Sequence, residues 1–413
     1  MLDQLSAELI EHISSLIEDV VDLFSLRLVS RYLHSTTYRT FATRCFRTIV
    51  LDFTPRSLLR IAKIARYETL RDSVRHIRAG SVLENTPIIF GEGHIWPREQ
   101  SDLLDLTSPL VRGIQDLLLR FSRCNEMSAT DESSHYLCRD GEDTWLSPMD
   151  VFSLMCSVLA RPEAYRIEKF NVKIDCVPES SRPRQLSSAT VNSTFFLASW
   201  SYIRRLDISW KVYPRLANIT FDLVTRATSL RSLALRFGIM DSADLFLRQL
   251  ANASTVPDIT DLKIRCMSLV TSDTFANAVV RLQRSLTSIR ISYVSFESGN
   301  WSTFFSRLAE GEFPRLESFT VYNVHRWFFC PLRMRQDVLA QCGGQFEFEL
   351  HKHSGKSRVS GVRYHGPPSG VKLALRALGN DVSYPMGFRV PSPGHPDMQE
   401  FEDRVGVTVS QLF

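Results

Sequence analysis

The sequence predicts an α/β protein: a small helical module at the amino terminus, then an irregular solenoid with parallel strands inside and helices outside. Six segments share the pattern apolar-x-x-apolar-x-apolar at nearly even intervals, stretches with helical apolar spacing lie between them, and the first 33 residues carry apolar positions at steps of three and four. The chain has 413 residues, 44% apolar and 23% charged, with 18 Gly and 18 Pro, which is an ordinary globular composition. Neither a disordered nor a collagen-like chain fits these values. The net charge of +4 is small for this length, so bulk attraction to nucleic acid or to an anionic membrane is not expected.

The amino-terminal module comes first. Leu5, Leu9, Ile13, Leu16, Ile17 and Val20 fall on one helical stripe, with Ser6 as the N-cap and Glu8 in the first turn, where the helix dipole favours an anion. A second run, Leu23, Leu26, Val29 and Leu33, repeats the spacing and places Arg27 and Arg31 on its polar side. Helices in so short a segment bury too little surface to stand alone and need a further packing partner.

These residues resemble a known family. Leu5-Ser6-Ala7-Glu8-Leu9-Ile10 with Ile13, followed by Asp22-Leu23-Phe24-Ser25-Leu26-Arg27-Leu28-Val29-Ser30-Arg31-Tyr32-Leu33, is similar to the F-box, which begins Leu-Pro-x-Glu-Leu and closes with a Leu-Arg-Leu-Val-Ser-Arg-like helix. The resemblance covers residues 3–45, within a module bounded at 1–48. It departs in two places: Ser6 stands at the usual proline, and the segment from Ile17 to Leu23 is about one residue longer, neither of which removes a helix start. The resemblance implies docking on the Skp-type adaptor of a cullin-RING ubiquitin ligase, with adaptor-binding residues Leu5, Leu9, Ile10, Ile13, Leu26 and Val29. The alternative is an ordinary amphipathic helical hairpin packed on the rest of the chain.

The six recurring segments are Ile167–Val172, Ile203–Ile208, Leu230–Leu235, Ile259–Ile264, Leu286–Ile291 and Leu316–Val321, whose starts lie 36, 27, 29, 27 and 30 residues apart. One match is uninformative at this apolar content, but four consecutive near-equal spacings are not. Between them, Asp241 precedes Leu245, Phe246 and Leu250; Ser272 precedes Phe275, Val279 and Leu282; and Trp301, Phe305 and Leu308 continue the helical spacing. A strand-loop-helix unit cannot cover its own apolar face, so neighbours must stack. Val74–Ile77 and Ile114–Leu119 are weaker strand candidates that extend the series, and residues 122–146 read as an interrupting polar loop.

Over residues 110–325 the pattern resembles the leucine-rich repeats that follow the F-box in one large class of F-box proteins. No Asn follows the third apolar residue where many such repeats carry Asn or Cys; Gly238 and Met267 lie three residues past it, which implies an irregular leucine-rich-repeat solenoid. A non-repeat α/β domain with parallel strands is the alternative. Residues 49–109 read as a linker and amino-terminal cap, 326–384 as a carboxy-terminal cap with a strand at Phe346–Leu350 and a helix at Val371–Leu378. Residues 385–413, with Pro385, Pro391, Pro393 and Pro396, read as an extended tail.

Intervening strand positions face the concave surface of such a repeat. They carry Lys169, Lys173, Arg204, Arg205, Arg231, Arg236, Lys263, Arg265 and Arg290 against Glu168, Asp207, Asp261 and Glu317, nine cations to four anions. Arginine forks suit a carboxylate-rich or phosphorylated protein partner. Without an aromatic ladder beside them, nucleic acid is the poorer match; an unremarkable solvated face is the plain alternative.

No catalytic, cofactor-binding or metal-binding motif appears. Gly355-Lys356-Ser357 lacks the glycine of a phosphate loop, since Leu350 stands there; His351, His353, Cys330 and Cys342 fit no zinc spacing. The 8 cysteines include no Cys-x-x-Cys, and Asp3, Glu8 and Glu11 break any leader pattern, so free thiols in a cytoplasmic or nuclear protein are expected. Asn192, Asn218, Asn252 and Asn300 are then chance glycosylation sequences, and no apolar run is long enough to span a membrane. The expectation is a non-catalytic substrate receptor of a Skp-cullin-F-box ubiquitin ligase. Its alternatives are a non-degradative interaction scaffold and an enzyme with scattered catalytic residues.

Overall fold

The computed structural model describes residues 4–80, 89–100, 103–131, 145–164, 166–174, 191–210, 214–237, 242–322, 341–353 and 356–381. The chain forms two compact units, Met1–Ile203 and Arg204–Phe413. Each is α/β, with helices packed against one face of a largely parallel, open sheet.

The first unit begins with α1 (Ala7–Leu16), α2 (Val20–Val29), α3 (Arg31–Thr36) and α4 (Tyr38–Cys45). Ser6 caps α1 as expected, its hydroxyl accepting from the Leu9 amide at 3.5 Å. The two long helical runs read from the sequence are each broken once. Ile17 turns extended and Asp19 caps α2 through the Val21 amide at 2.7 Å, while Ser30 turns extended and caps α3 through the Leu33 amide at 3.2 Å. Short polar side chains that bond the backbone compete with helix continuation at both places.

Four strands follow, β1 (Thr48–Leu51), β2 (His76–Ala79), β3 (Glu126–Asp131) and β4 (Lys169–Ile174), parallel and in chain order. Ile49, Ile77, Met127 and Phe170 stand in register, as do Leu51, Ala79, Ala129 and Val172, and all eight are buried. The Arg47 carbonyl accepts from the amides of both Arg75 and His76, the Arg75 carbonyl from Asn125 and Glu126, and the Asn125 carbonyl from Glu168 and Lys169, at 2.8–3.1 Å.

The helices of this unit are α5 (Pro55–Arg66), α6 (Glu68–Arg71), α7 (Pro109–Leu119), α8 (Pro148–Leu159) and α9 (Thr194–Trp200). Within 49–109, read from the sequence as linker and amino-terminal cap, β1, α5 and β2 belong to the sheet and its cover. Two expectations are corrected here. Ile114–Leu119 is helical, started by the Ser108 cap and by Pro109 at the first helical position. The interval 122–146 contains β3, whose six residues offer only Met127 and Ala129 to the core; 132–144 lie outside the described residues.

Every residue of α8 is buried, between α7 and α9 and upon β3. Its Asp150 forms a capping box with Ser147 and meets the Arg98 guanidinium at 2.9 Å, with both side chains almost fully buried. A second Arg98 nitrogen donates to the Trp145 carbonyl at 3.1 Å, which ties Arg98 to the start of α8.

In the second unit β5 (Arg205–Trp210), β6 (Ser232–Arg236), β7 (Asp261–Thr271), β8 (Ser288–Ser298) and β9 (Ser318–Tyr322) are parallel and in chain order. Helices α10 (Pro214–Arg226), α11 (Ser242–Asn252), α12 (Ser272–Arg281) and α13 (Trp301–Glu310) connect them. Leu206, Leu233, Leu262, Ile289 and Phe319 align across the sheet, as do Ile208, Leu235, Ile264, Ile291 and Val321, which is the alignment the repeat spacing predicts. The carbonyl ladder recurs. Arg204 accepts from Arg231 and Ser232, Arg231 from Thr260 and Asp261, Thr260 from Thr287 and Ser288, and Thr287 from Glu317 and Ser318, at 2.7–3.2 Å.

At Met267 and its partner Val294 the side chains are buried and apolar. The preceding residues, Cys266 and Tyr293, take left-handed backbone at φ 52 and 55. Both strands thus carry an irregular residue at matching positions, between the pairs Arg265–Ser292 and Met267–Val294. Thr271, not Ser272, caps α12. A Cβ on Gly299, at φ 80 just before α13, would collide with the Ser272 hydroxyl, so glycine is required there. Asp241 and Gly238 lie outside the described residues.

The parallel series ends with β10 (Gln345–His353) and β11 (Lys356–His365), an antiparallel pair in which β11 lies beside β9, followed by α14 (Pro368–Asp381) packed on α13. The expected strand near residue 346 and helix near 371 are both present. Residues 326–340 and the tail 385–413 lie outside the described residues.

Removing one partner of a buried ion pair leaves the other charge without compensation. Asp150→Ala is therefore expected to destabilise the protein by about 3–5 kcal/mol, read as a fall in the urea midpoint, and adding Arg98→Met should recover part of the loss.

Candidate partner-binding surfaces

The helical module has a small core of its own. Ile10, Leu23, Leu33 and Ala42 are buried, and Arg27 lies among them. Its guanidinium donates to the His34 carbonyl at 3.2 Å and stands 4.0 Å from the centre of the Phe41 ring. Burial pushes the Arg27 pKa down, opposed by Tyr38 and Cys45. This corrects the expectation that Arg27 lies on the polar side of its helix; Arg31 does remain exposed. Phe41 packs edge-on against Phe24 at 5.1 Å and Phe46 at 5.6 Å, so α2, α4 and the chain leaving α4 meet around one ring.

What this core leaves outside is apolar. Leu9 is 52% exposed, Leu16 67%, Val21 66%, Leu28 85% and Val29 68%. Ile13, Val20, Phe24 and Tyr32 are also exposed, so residues 9–32 hold nine of the 18 large exposed hydrophobic side chains found among the described residues. Such clustering marks an interaction surface, whereas single exposed apolar residues do not. The Tyr32 hydroxyl donates to the Leu5 carbonyl at 3.0 Å, which draws the start of α3 to the start of α1.

Of the six adaptor residues read from the sequence, Leu9, Ile13 and Val29 are exposed and Leu5 and Leu26 are half-buried. Ile10 is corrected. It is 2% exposed and shares the inward face of α1 with Ser14, whose hydroxyl meets that of Thr40 at 3.0 Å. At 100° per residue Ile10 and Ser14 point one way while Leu9, Ile13 and Leu16 point to one side of it. Sequence reasoning missed Leu16, Val20, Val21, Phe24, Leu28 and Tyr32 as surface residues. Their signal is a helix pair that is apolar on more faces than its own core can use.

The strand residues divide between the units. In the first, Lys169 pairs with Glu126 at 3.6 Å and Lys173 is half-buried. The adjacent His76 bonds the Ser128 hydroxyl at 2.7 Å, and burial lowers its pKa against the pull of Glu126. On the first unit's open face Lys169 is thus neutralised by Glu126, and Arg78 and Lys173 stand on rows of their own.

In the second unit the open-face rows are Arg205, Ser232, Asp261, Ser288 and Ser318; then Asp207, Ala234, Lys263, Arg290 and Thr320; then Ser209, Arg236, Arg265, Ser292 and Tyr322. Lys263 and Arg290 stand opposite each other on β7 and β8. Arg204 and Arg231 are corrected: they precede their strands and lend their carbonyls to the ladder, and the Arg231 guanidinium reaches Asp258 at 3.3 Å. Among the described residues no three His, Cys, Asp or Glu side chains converge as metal ligands, and no helix is long and apolar enough to cross a membrane.

Because Ile10 and Leu9 differ in burial and not in size, Ile10→Ala is expected to cost about 2–5 kcal/mol, whereas Leu9→Asp with Ile13→Asp should change stability by no more than about 0.5 kcal/mol per site. Thermal and urea unfolding followed by circular dichroism measure both. Comparison with protein-family models and with curated protein sequences finds no match to this chain.

Proposed function

We propose that the protein is the substrate-recognition subunit of a Skp-cullin-F-box type ubiquitin ligase, binding the Skp-type adaptor through α1–α3 and a target protein through the open strand face. The observation that carries this reading is the cluster of exposed apolar side chains on a module whose core is already complete without them. A helical segment with this sequence pattern and a spare apolar surface has the chemistry of a docking element.

The chain itself performs no bond chemistry in this reading. It would act inside the cell, in cytoplasm or nucleus, by holding a target lysine near a ubiquitin-charged enzyme carried by the same assembly, which raises the effective concentration of the reacting groups. Burying one apolar side chain of the Leu or Ile class contributes about 1.5–3 kcal/mol, so a few anchors account for a specific adaptor interface.

Leu9→Asp with Ile13→Asp in the full-length chain should therefore weaken adaptor binding by about 3 kcal/mol or more, over a hundredfold in Kd, with the fold retained. Co-purification with adaptor and cullin is the measurement. Undiminished recovery would leave the non-degradative scaffold as the better account.

A further inference from the structure

We infer that the open face of β5–β8 takes an extended, carboxylate-rich segment of the target protein, with Lys263, Arg265 and Arg290 at its centre and Arg205 at its margin. This rests on the strand face being the target-binding surface and narrows it to one unit and one ligand chemistry.

Lys263 and Arg290 face each other across neighbouring strands, which lie about 4.8 Å apart, and Arg265 stands one pleat further along β7. Like charges directly opposite in a sheet are unfavourable. Among the described residues, none of Arg205, Lys263, Arg265 and Arg290 has a carboxylate within the 4.0 Å of an ion pair, in contrast to Lys169 with Glu126 and Arg363 with Glu347. Burial pushes the Lys263 pKa down, and Arg290, Arg205 and Arg265 push it further, with Asp261 alone opposing them. The fold thus holds a repulsion that Asp261 only partly offsets on a partly exposed surface, and an anionic ligand relieves it. Guanidinium groups bind carboxylates bidentately, and lysine adds a point charge between them.

The dimensions favour a peptide. From β5 to β8 is three strand steps, about 14 Å, which matches about four residues of extended chain at 3.3–3.6 Å each. Asp207 and Asp261 lie within this band and interrupt its positive charge, which opposes a continuous phosphate backbone, whereas a peptide can place neutral residues opposite them. The described strand rows carry one aromatic side chain, Tyr322, edge-on with Tyr293 at 6.3 Å, which makes no stacking ladder across the basic residues.

The test uses the full-length chain and two fluorescein-labelled dodecapeptides, one alternating Glu and Ser and one alternating Gln and Ser, read by anisotropy. The Glu peptide should bind at least about tenfold more tightly than the Gln peptide, with the difference shrinking between 50 and 200 mM salt as screening grows. Lys263→Gln with Arg290→Gln should remove that preference while the melting temperature stays the same or rises, because the repulsion is gone. A residue serving only the fold would lower it. Arg265→Gln is the second variant and should weaken binding without touching that pair. Equal binding of the two peptides, no effect of either variant, or tighter binding of a single-stranded oligonucleotide of equal charge would each overturn the inference. Failure of the Glu peptide with adaptor co-purification intact overturns this inference alone. Peptide binding without adaptor leaves it standing and overturns the ligase reading.

Discussion

Seven of the nine parallel strands are each entered through one peptide carbonyl that accepts two successive amide protons from the chain entering the next strand. Arg204, Arg231, Thr260 and Thr287 do this in turn in the second unit, as Arg47, Arg75 and Asn125 do in the first. A shared acceptor fixes where the neighbouring strand starts, and a shift of one residue would turn its apolar side chains to the wrong face. The near-even spacing of the repeats follows from this, because each crossover must return its chain to the same level. So does the division of the sheet into a face packed by helices and a face left open, since Leu206, Leu233, Leu262, Ile289 and Phe319 all point one way.

The amino-terminal module obeys a different constraint. Its four helices are short, and their shared interior is small enough for one buried guanidinium and one phenyl ring to be central to it. A core of that size can use only part of the apolar surface that α1 and α2 present. The remainder stays in water at a cost, at Leu9, Leu16, Leu28 and Val29 above all, and it is this surface that the proposed adaptor would cover.

Much of the second unit was legible because period and alternation reinforce each other over consecutive units. The first unit was less so. Ile114, Leu117 and Leu119 suit a helix as well as a strand, and only the Ser108-Pro109 start decides. Glu126–Asp131 forms a strand with just two modest apolar residues, because its neighbours β2 and β4 supply the ladder. The burial of Arg27 depends on Phe41, fourteen positions away on another helix, and no local pattern encodes that. For the surfaces, the composition of the apolar and basic sets was readable. Which members face inward was not, as Ile10 beside Leu9 illustrates, because facing is set by tertiary contacts that spacing alone leaves open by about a quarter turn.

The β10–β11 pair reverses chain direction beside β9. A right-handed crossover joins strands that run the same way, so no further copy of the unit can be appended past that reversal. Growth of the array, whether by duplication or by deliberate insertion of one 27- to 30-residue module, is confined to positions upstream of β9. The hairpin is thus a length-setting terminus, and it assigns any enlargement of the open strand face to the interior of the series.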